Sequence, residues 1–228
     1  MANIFKNIPQ RKRPVSSEIL DPKRRRFNER CRLIMDDLAQ QKRRESGQPR
    51  KEIETSVSFE TFNDELDNLM GKITGPVGTP YEGGVFNVFI TIPAAFPNNP
   101  PEITFETLVW HPNIATPIGT ICVDALKEQW NPSMTIENSL IAIQTLLAVP
   151  YHQSPLNGQC AAQMQSDEQR GTRFYERTAK LWTQLFAGGS GEKDPDLMKR
   201  ASLYAKKYNI SVEAAVQQLS KTKWRDTN

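Results

Sequence analysis

The sequence has no long hydrophobic run. Of its 228 residues, 38% are hydrophobic and 24% are charged, which is close to the composition of a soluble globular protein. No stretch approaches the roughly 18 apolar residues that a membrane-spanning helix needs, and the N-terminus shows no apolar signal region. We therefore expect a protein of the cytoplasm and nucleus, with no membrane partner.

Cysteine and histidine are also scarce. Cys31, Cys122 and Cys160 are the only cysteines; they form no C-x-x-C pair and favour neither a disulfide framework nor a zinc site. The sequence contains two histidines and no G-x-x-x-x-G-K-[ST] loop for nucleotide phosphates. We expect no metal and no cofactor. Because most lone cysteines are small buried side chains, a reactive one needs a further signal.

The net charge of +3 is unevenly distributed. Residues 1–26 contain two basic clusters, at 11–13 and 23–26, without sustained apolar periodicity, which predicts a disordered basic arm. The clusters resemble a bipartite nuclear import signal, with a solvated tail or a weak nucleic-acid contact as alternatives. No aromatic residues are interleaved with the clusters for base stacking, so we expect no nucleic-acid partner.

Regular periodicity begins at Phe27. Phe27, Cys31, Ile34 and Leu38 recur at helical spacing and predict a helix over 27–44. Later segments divide into strands first and helices afterwards, which indicates an α+β fold with a four-stranded antiparallel sheet. The predicted strands are 53–59, 66–74, 85–92 and 103–105, and the predicted helices are 135–147, 161–165 and 174–186. A Gly-rich linker at 188–194 then leads to a small helical module at 195–228.

The most informative segment is the loop at 106–134. It has no regular periodicity for almost thirty positions, and a loop that long inside a compact domain is usually functional. It contains the sequence His111-Pro112-Asn113, then Cys122 in Gly119-Thr120-Ile121-Cys122, then Trp130-Asn131-Pro132.

These motifs, together with Tyr81-Glu82-Gly83-Gly84 and the Phe96–Pro101 proline loop, resemble the ubiquitin-conjugating enzymes in order and spacing. The resemblance covers residues 27–187. It implies the UBC fold as the catalytic core and Cys122 as the residue that accepts ubiquitin as a thioester. It also implies ubiquitin, an activating enzyme, a ubiquitin ligase and substrate proteins as partners. Two alternatives are a conjugating enzyme for a ubiquitin-like modifier and a non-catalytic adaptor that positions ubiquitin.

A thiol suits this chemistry because thiolate is a strong nucleophile and a thioester remains activated toward amines. The family's motif gives Asn113 one of two roles, either stabilising the oxyanion of acyl transfer or holding the active-site loop. In the same motif, we expect His111 to brace the loop through hydrogen bonds rather than to move protons.

The attacking lysine must lose a proton, and a nearby acidic group helps it to do so. Asp124 resembles an acidic position of the family, with a solvated loop carboxylate as the alternative. Ser154 matches a gate position that is Asp or Ser in the family, with an ordinary loop serine before proline as the alternative. Both are candidate catalytic residues.

Two features depart from the usual family pattern. Asn98 and Asn99 occupy the proline loop where many members place an apolar residue that docks on a ligase, and a polar residue weakens such a hot spot. The module at 195–228 resembles the first two helices of a ubiquitin-associated (UBA) domain, as in the huntingtin-interacting type of conjugating enzyme, and we expect it to be a truncated form without the third helix. The alternative is a helical extension that packs on its own core.

Overall fold

A computed structural model of the chain describes residues 30–41, 56–63, 65–121 and 130–225. Residues 30–41 form helix α1, within the predicted 27–44. Ile34 on its apolar stripe is buried, whereas Cys31 on the same stripe is only half-buried. The basic arm predicted at 1–26 lies outside the described residues.

The sheet consists of four antiparallel strands in sequence order. They are β1 (Val57–Phe62), β2 (Glu65–Thr74), β3 (Val85–Thr91) and β4 (Glu102–Phe105). Successive side chains of a strand point to opposite faces, so alternate residues of β3, namely Phe86, Val88 and Ile90, are buried on one face. The α+β fold with a four-stranded antiparallel sheet is therefore confirmed.

Helix α2 (Ile136–Ala148) crosses the buried face of the sheet. Gly71 allows this approach, because a Cβ there would lie 2.7 Å from Val88 Cγ2 and 3.3 Å from Leu140 Cδ2. A capping box starts the helix at Thr135. The buried carboxylate of Asp37 on α1 also accepts a hydrogen bond from the Ile136 N–H at 2.9 Å, and a negative charge is favourable at a helix N-terminus.

Four more helices follow: α3 (Gly158–Arg170), α4 (Phe174–Phe186), α5 (Pro195–Tyr208) and α6 (Val212–Lys221). Helix α3 is much longer than the predicted 161–165. Its sequence is mostly polar, which conceals the apolar stripe, but Asn157 caps its start through the Cys160 N–H and Gly171 ends it at φ 65°. No helix among the described residues has the length and apolar content to cross a bilayer.

The C-terminal helices pack on the core through buried polar contacts. Trp182 Nε1 donates to Ser220 Oγ at 2.9 Å, and the Ser220 carbonyl accepts from Gln163 Nε2 at 3.2 Å. Trp224 inserts its ring beside α4 and donates to Thr178 Oγ1 at 3.1 Å. These contacts match the alternative of a helical extension packed on its own domain.

The segment predicted as a flexible linker is irregular in the structure but accepts several hydrogen bonds from one side chain. Gln184 Nε2 donates to the carbonyls of Ser190, Gly191 and Glu192, and the Ala187 carbonyl accepts from the Val85 N–H at 2.8 Å. The Gly-rich composition did not reveal these partners. The division into a core at 27–187, a linker at 188–194 and a UBA-like tail at 195–228 stays a prediction.

We expect Trp224→Ala to lower the free energy of unfolding of the whole chain by about 3 kcal/mol, because it empties a buried site and removes an indole hydrogen bond. Chemical denaturation followed by circular dichroism measures this change. The matched control is Leu203→Ala on α5, whose residue is 62% exposed and whose loss should cost less than about 0.5 kcal/mol. A separate tail transition that leaves the main midpoint unchanged would contradict the packing.

Candidate active site

The turn His111-Pro112-Asn113 is fixed from within by the His111 ring. His111 is completely buried; its Nδ1 accepts from the Asn113 N–H at 3.1 Å, and its Nε2 lies 3.1 Å from the Leu146 carbonyl oxygen. Because a carbonyl oxygen only accepts, we assign the ring proton to Nε2. The ring therefore connects the turn to α2.

Burial lowers the pKa of His111 from its ordinary 6.5 to about 3, and the Leu146 carbonyl only partly opposes this effect. The ring is thus neutral at physiological pH, since the desolvated cation is disfavoured. A neutral ring with both nitrogens engaged is a brace, as the sequence predicted, and it has no proton to exchange with a substrate.

Asn113 joins the turn to the loop that follows α2. The residue is 3% exposed; its Nδ2 donates to the Tyr151 carbonyl at 2.6 Å and its Oδ1 accepts from the Tyr151 N–H at 2.8 Å. These contacts hold the loop, which is one of its two predicted roles. An amide nitrogen carries two hydrogens, so the second N–H of Nδ2 is available to another acceptor.

The same loop is attached at its far end. The Pro112 carbonyl accepts from the N–H groups of Leu156 and Asn157, both at 2.9 Å. Ser154 lies between the two attachment points, at Tyr151 and Leu156, and is exposed. Asn113 and Ser154 therefore lie on two loops that are hydrogen-bonded to each other.

A short hairpin follows the turn. Ile114 and Ile121 form an antiparallel bridge, and the Ala115 N–H donates to the Thr120 carbonyl at 2.9 Å. Gly119 allows the hairpin to lie against β4, because its φ is +81° and a Cβ would sit 1.9 Å from the Phe105 carbonyl oxygen. Ile114 and Ile121 are both buried, which fixes the chain up to residue 121.

Cys122 and Asp124 lie outside the described residues. Of the two described cysteines, Cys160 is fully buried, and burial raises the pKa of its thiol. Cys31 is half-buried on α1. Within the described ranges, no group of three or more His, Cys, Asp or Glu side chains is arranged to hold a metal ion.

Sequence reasoning missed two supports of this region. Tyr151 contributes through its backbone, which carries no residue-specific signal. Tyr81 lies in a turn and is also fully buried; its hydroxyl donates to the Trp110 carbonyl at 2.8 Å and lies 2.7 Å from the Tyr175 hydroxyl. Burial raises the pKa of both phenols, so both stay neutral and fix the residue before His111.

Comparison with known proteins gives a consistent result. The family model described as ubiquitin-conjugating enzyme matches residues 38–182. Ubiquitin-conjugating enzyme E2 27 of Arabidopsis thaliana is 44% identical over 125 residues, covering 55% of this chain and 63% of that protein. Ubiquitin-conjugating enzyme E2 K of Homo sapiens is 34% identical over 194 residues, covering 83% and 94%. A solved Toxoplasma gondii E2 domain of a ubiquitin-conjugating enzyme has a TM-score of 0.57 and 38% identity, covering 68% of this chain and 96% of that chain.

The depressed pKa of His111 predicts a pH dependence of stability. Between pH 6.5 and about 3 the unfolded chain protonates this histidine while the native chain does not. Stability should therefore fall as the pH falls through this window, by up to about 1.4 kcal/mol per pH unit, with no contribution above it. When denaturant midpoints are plotted against pH, the slope should be flatter for His111→Asn than for His152→Gln, which removes the other histidine. Equal slopes in both variants would contradict the assignment.

Proposed function

The chain belongs to the family of ubiquitin-conjugating enzymes, and from this premise we propose that Cys122 carries ubiquitin as a thioester and passes it to a lysine amine. Members of the family are transferases that use a cysteine thioester and work in general with ubiquitin, an activating enzyme and ligases. Neither a ubiquitin-like cargo nor a non-catalytic adaptor is favoured by the relatives.

The observation that carries the assignment to Cys122 is the bridge between Ile114 and Ile121. In the sequence, Asn113 directly precedes Ile114 and Cys122 directly follows Ile121, so the two residues flank the two ends of this bridge along the chain. The proposed thioester then forms beside the turn that His111 braces and Asn113 fastens to Tyr151.

The other two cysteines are less suitable. Nucleophilic attack needs thiolate, and Cys160 is sealed in the core with a raised thiol pKa. Cys31 is half-buried on α1, and the described hydrogen bonds of the His111 and Asn113 side chains do not involve that helix. Cys122 alone follows directly from the hairpin that is attached to the turn.

The reaction has two steps on the same sulfur. First, the Cys122 thiolate attacks the carbonyl carbon of the activating enzyme's thioester, and that enzyme's thiolate leaves. Then the lysine nitrogen attacks the new thioester, the Cys122 thiolate leaves, and the amine proton passes to a base. Each attack places negative charge on the carbonyl oxygen. In the second step, where the amine is the weaker nucleophile, the second N–H of Asn113 stabilises that oxygen, a contribution of roughly 3 kcal/mol for one such donor.

Asp124 and Ser154 serve the incoming lysine. A carboxylate close to the thioester favours binding of the ammonium and accepts its proton as attack proceeds. Ser154 is exposed on the fastened loop, where its hydroxyl is accessible to a lysine. The support for Asp124 is its place two residues after Cys122.

The proline loop after β3 is the proposed contact for a ligase. Phe96 is buried against the half-buried Trp130, with ring centroids 5.9 Å apart, and Trp130 Nε1 donates to the Pro97 carbonyl at 2.8 Å. Asn98 and Asn99 are exposed beside this cluster. A ligase that relies on hydrogen bonds rather than on an apolar anchor suits this surface better.

Incubation with activating enzyme, ubiquitin and ATP should give an adduct that thiols cleave. Cys122→Ser should give a thiol-resistant oxyester or no adduct, and Cys122→Ala should give none, because the nucleophile is absent. Non-reducing electrophoresis measures both. Cys31→Ala and Cys160→Ala are the matched controls and should load normally. A thiol-sensitive adduct on Cys122→Ala would refute the proposal, and loading with a ubiquitin-like protein in preference to ubiquitin would favour the alternative cargo.

We expect Asn113→Ala to slow discharge of ubiquitin to free lysine by about 100-fold, because one oxyanion donor is lost. Loading should be far less affected, because its attacking thiolate is the stronger nucleophile. Single-turnover rates of both steps measure the difference.

Equal slowing of loading and discharge, together with a lower melting temperature, would show instead that Asn113 acts only by holding the loop. The same discharge assay tests the two lysine-facing residues. If Asp124→Asn and Ser154→Ala leave the rate and its pH profile unchanged, neither residue assists the amine.

A further inference from the structure

A cleft of about 370 Å³ lies at the seam between the C-terminal helices and the core. Its walls are the end of α3, the start of α4 and the turn after α6, and none of the proposed catalytic residues contributes to it. This volume falls at the lower end of the range of roughly 300–1,000 Å³ that is typical of small-ligand sites. We call it the seam cleft.

The seam cleft is strongly basic. Three of its cations already have acidic partners: Arg173 with Glu176, Arg177 with Asp194, and Arg200 with Asp196. The other three have no acidic partner among the residues that the structure describes, and all are exposed. These unneutralised side chains are Arg170, Lys223 and Arg225.

One carboxylate, that of Asp167, also lines the seam cleft. It accepts hydrogen bonds from the Tyr175 N–H at 2.6 Å and from the Thr172 hydroxyl. Its oxygens are therefore used to join α3 to α4 rather than to pair with a cation. Among the described residues that line the cleft, three positive charges without an acidic partner against this one negative charge give a net positive potential.

The turn after α6 holds the backbone that carries two of these cations, Lys223 and Arg225. Lys223 and Trp224 both adopt left-handed backbone conformations, with φ of 53° and 60°, which bulky side chains rarely adopt. The Trp224 ring is buried and hydrogen-bonded to Thr178 Oγ1, so the conformation is held by that anchor. Lys223 and Arg225 flank the anchored residue at the rim of the cleft.

We infer that the seam cleft binds a phosphate monoester, of the kind that a phosphorylated serine or threonine side chain of a partner protein presents. Guanidinium groups bind phosphate oxygens in a bidentate manner, and Arg170 and Arg225 supply two of them without losing an ion pair. Phe174 and Trp224 supply apolar wall for the carbon that bears the phosphate. The volume accommodates a phosphorylated side chain.

The inference is tested on the full-length protein with N-acetyl-O-phosphoserine amide as the probe, followed by isothermal titration calorimetry and by the arginine Nε–Hε signals in NMR spectra. Saturable binding should tighten as the pH rises through about 6, where the phosphate takes its second charge. N-acetylserine amide should not bind. A titration with inorganic phosphate tests whether the cleft selects free phosphate or a phosphate group attached to a side chain. Weaker binding of inorganic phosphate than of the phosphoserine probe supports the attached group.

The decisive variant replaces Arg170, Lys223 and Arg225 by glutamine, and it should weaken phosphoserine binding by at least about tenfold, the typical effect of losing one charge-assisted contact. Its matched control replaces three exposed lysines outside the cleft by glutamine, namely Lys72, Lys180 and Lys206. This control should bind phosphoserine as the parent protein does. Equal melting temperatures verify that both variants fold. Two results with the phosphoserine probe would overturn the inference: equal weakening in both variants, or no binding to the parent protein. It would also be overturned if inorganic phosphate bound as tightly as phosphoserine, or if the protein preferred a short oligonucleotide.

Discussion

The two hydrogen bonds between the Asn113 side chain and the Tyr151 backbone connect the loop after the sheet to the loop after α2. Neither segment has repeating backbone hydrogen bonds of its own at this point, so their relative position depends on such side-chain contacts. The buried, neutral His111 ring accepts a hydrogen bond from the Asn113 N–H. The Pro112 carbonyl connects the same two loops a second time, because it accepts from the Asn157 N–H. A rigid scaffold of loops is what acyl transfer requires, because the reacting groups must be held close to their productive geometry.

Much of the architecture could be predicted from periodicity. β3 alternates cleanly, and α4 has a clear apolar stripe, so their bounds were close to correct. Helix α3 was underestimated because few of its residues are apolar; its ends are marked by the Asn157 cap and by Gly171, two local signals that an argument from apolar periodicity does not use. In the linker, glycine content indicates conformational freedom but does not reveal that the Gln184 side chain donates to the backbone there.

The candidate site was predictable as a set of motifs but not as a geometry. The order of His111, Asn113 and Cys122 resembles a family, and that resemblance assigned their roles. Spacing along the chain gave no sign that Tyr151 receives both ends of the Asn113 amide, or that Tyr81 reaches the Trp110 carbonyl. Backbone partners and buried hydroxyl contacts are set by the fold, so they follow only once the elements are assembled.

The seam between the tail and the core has a spectroscopic consequence. Three of the four tryptophans lie there. The rings of Trp110 and Trp182 are 5.2 Å apart. The indole N–H groups of Trp182 and Trp224 donate to the hydroxyl groups of Ser220 and Thr178. Intrinsic emission of the native chain therefore originates mainly from this junction. A red shift or loss of quenching registers the tail leaving the core, whereas Trp130 alone reports on the neighbourhood of the proline loop.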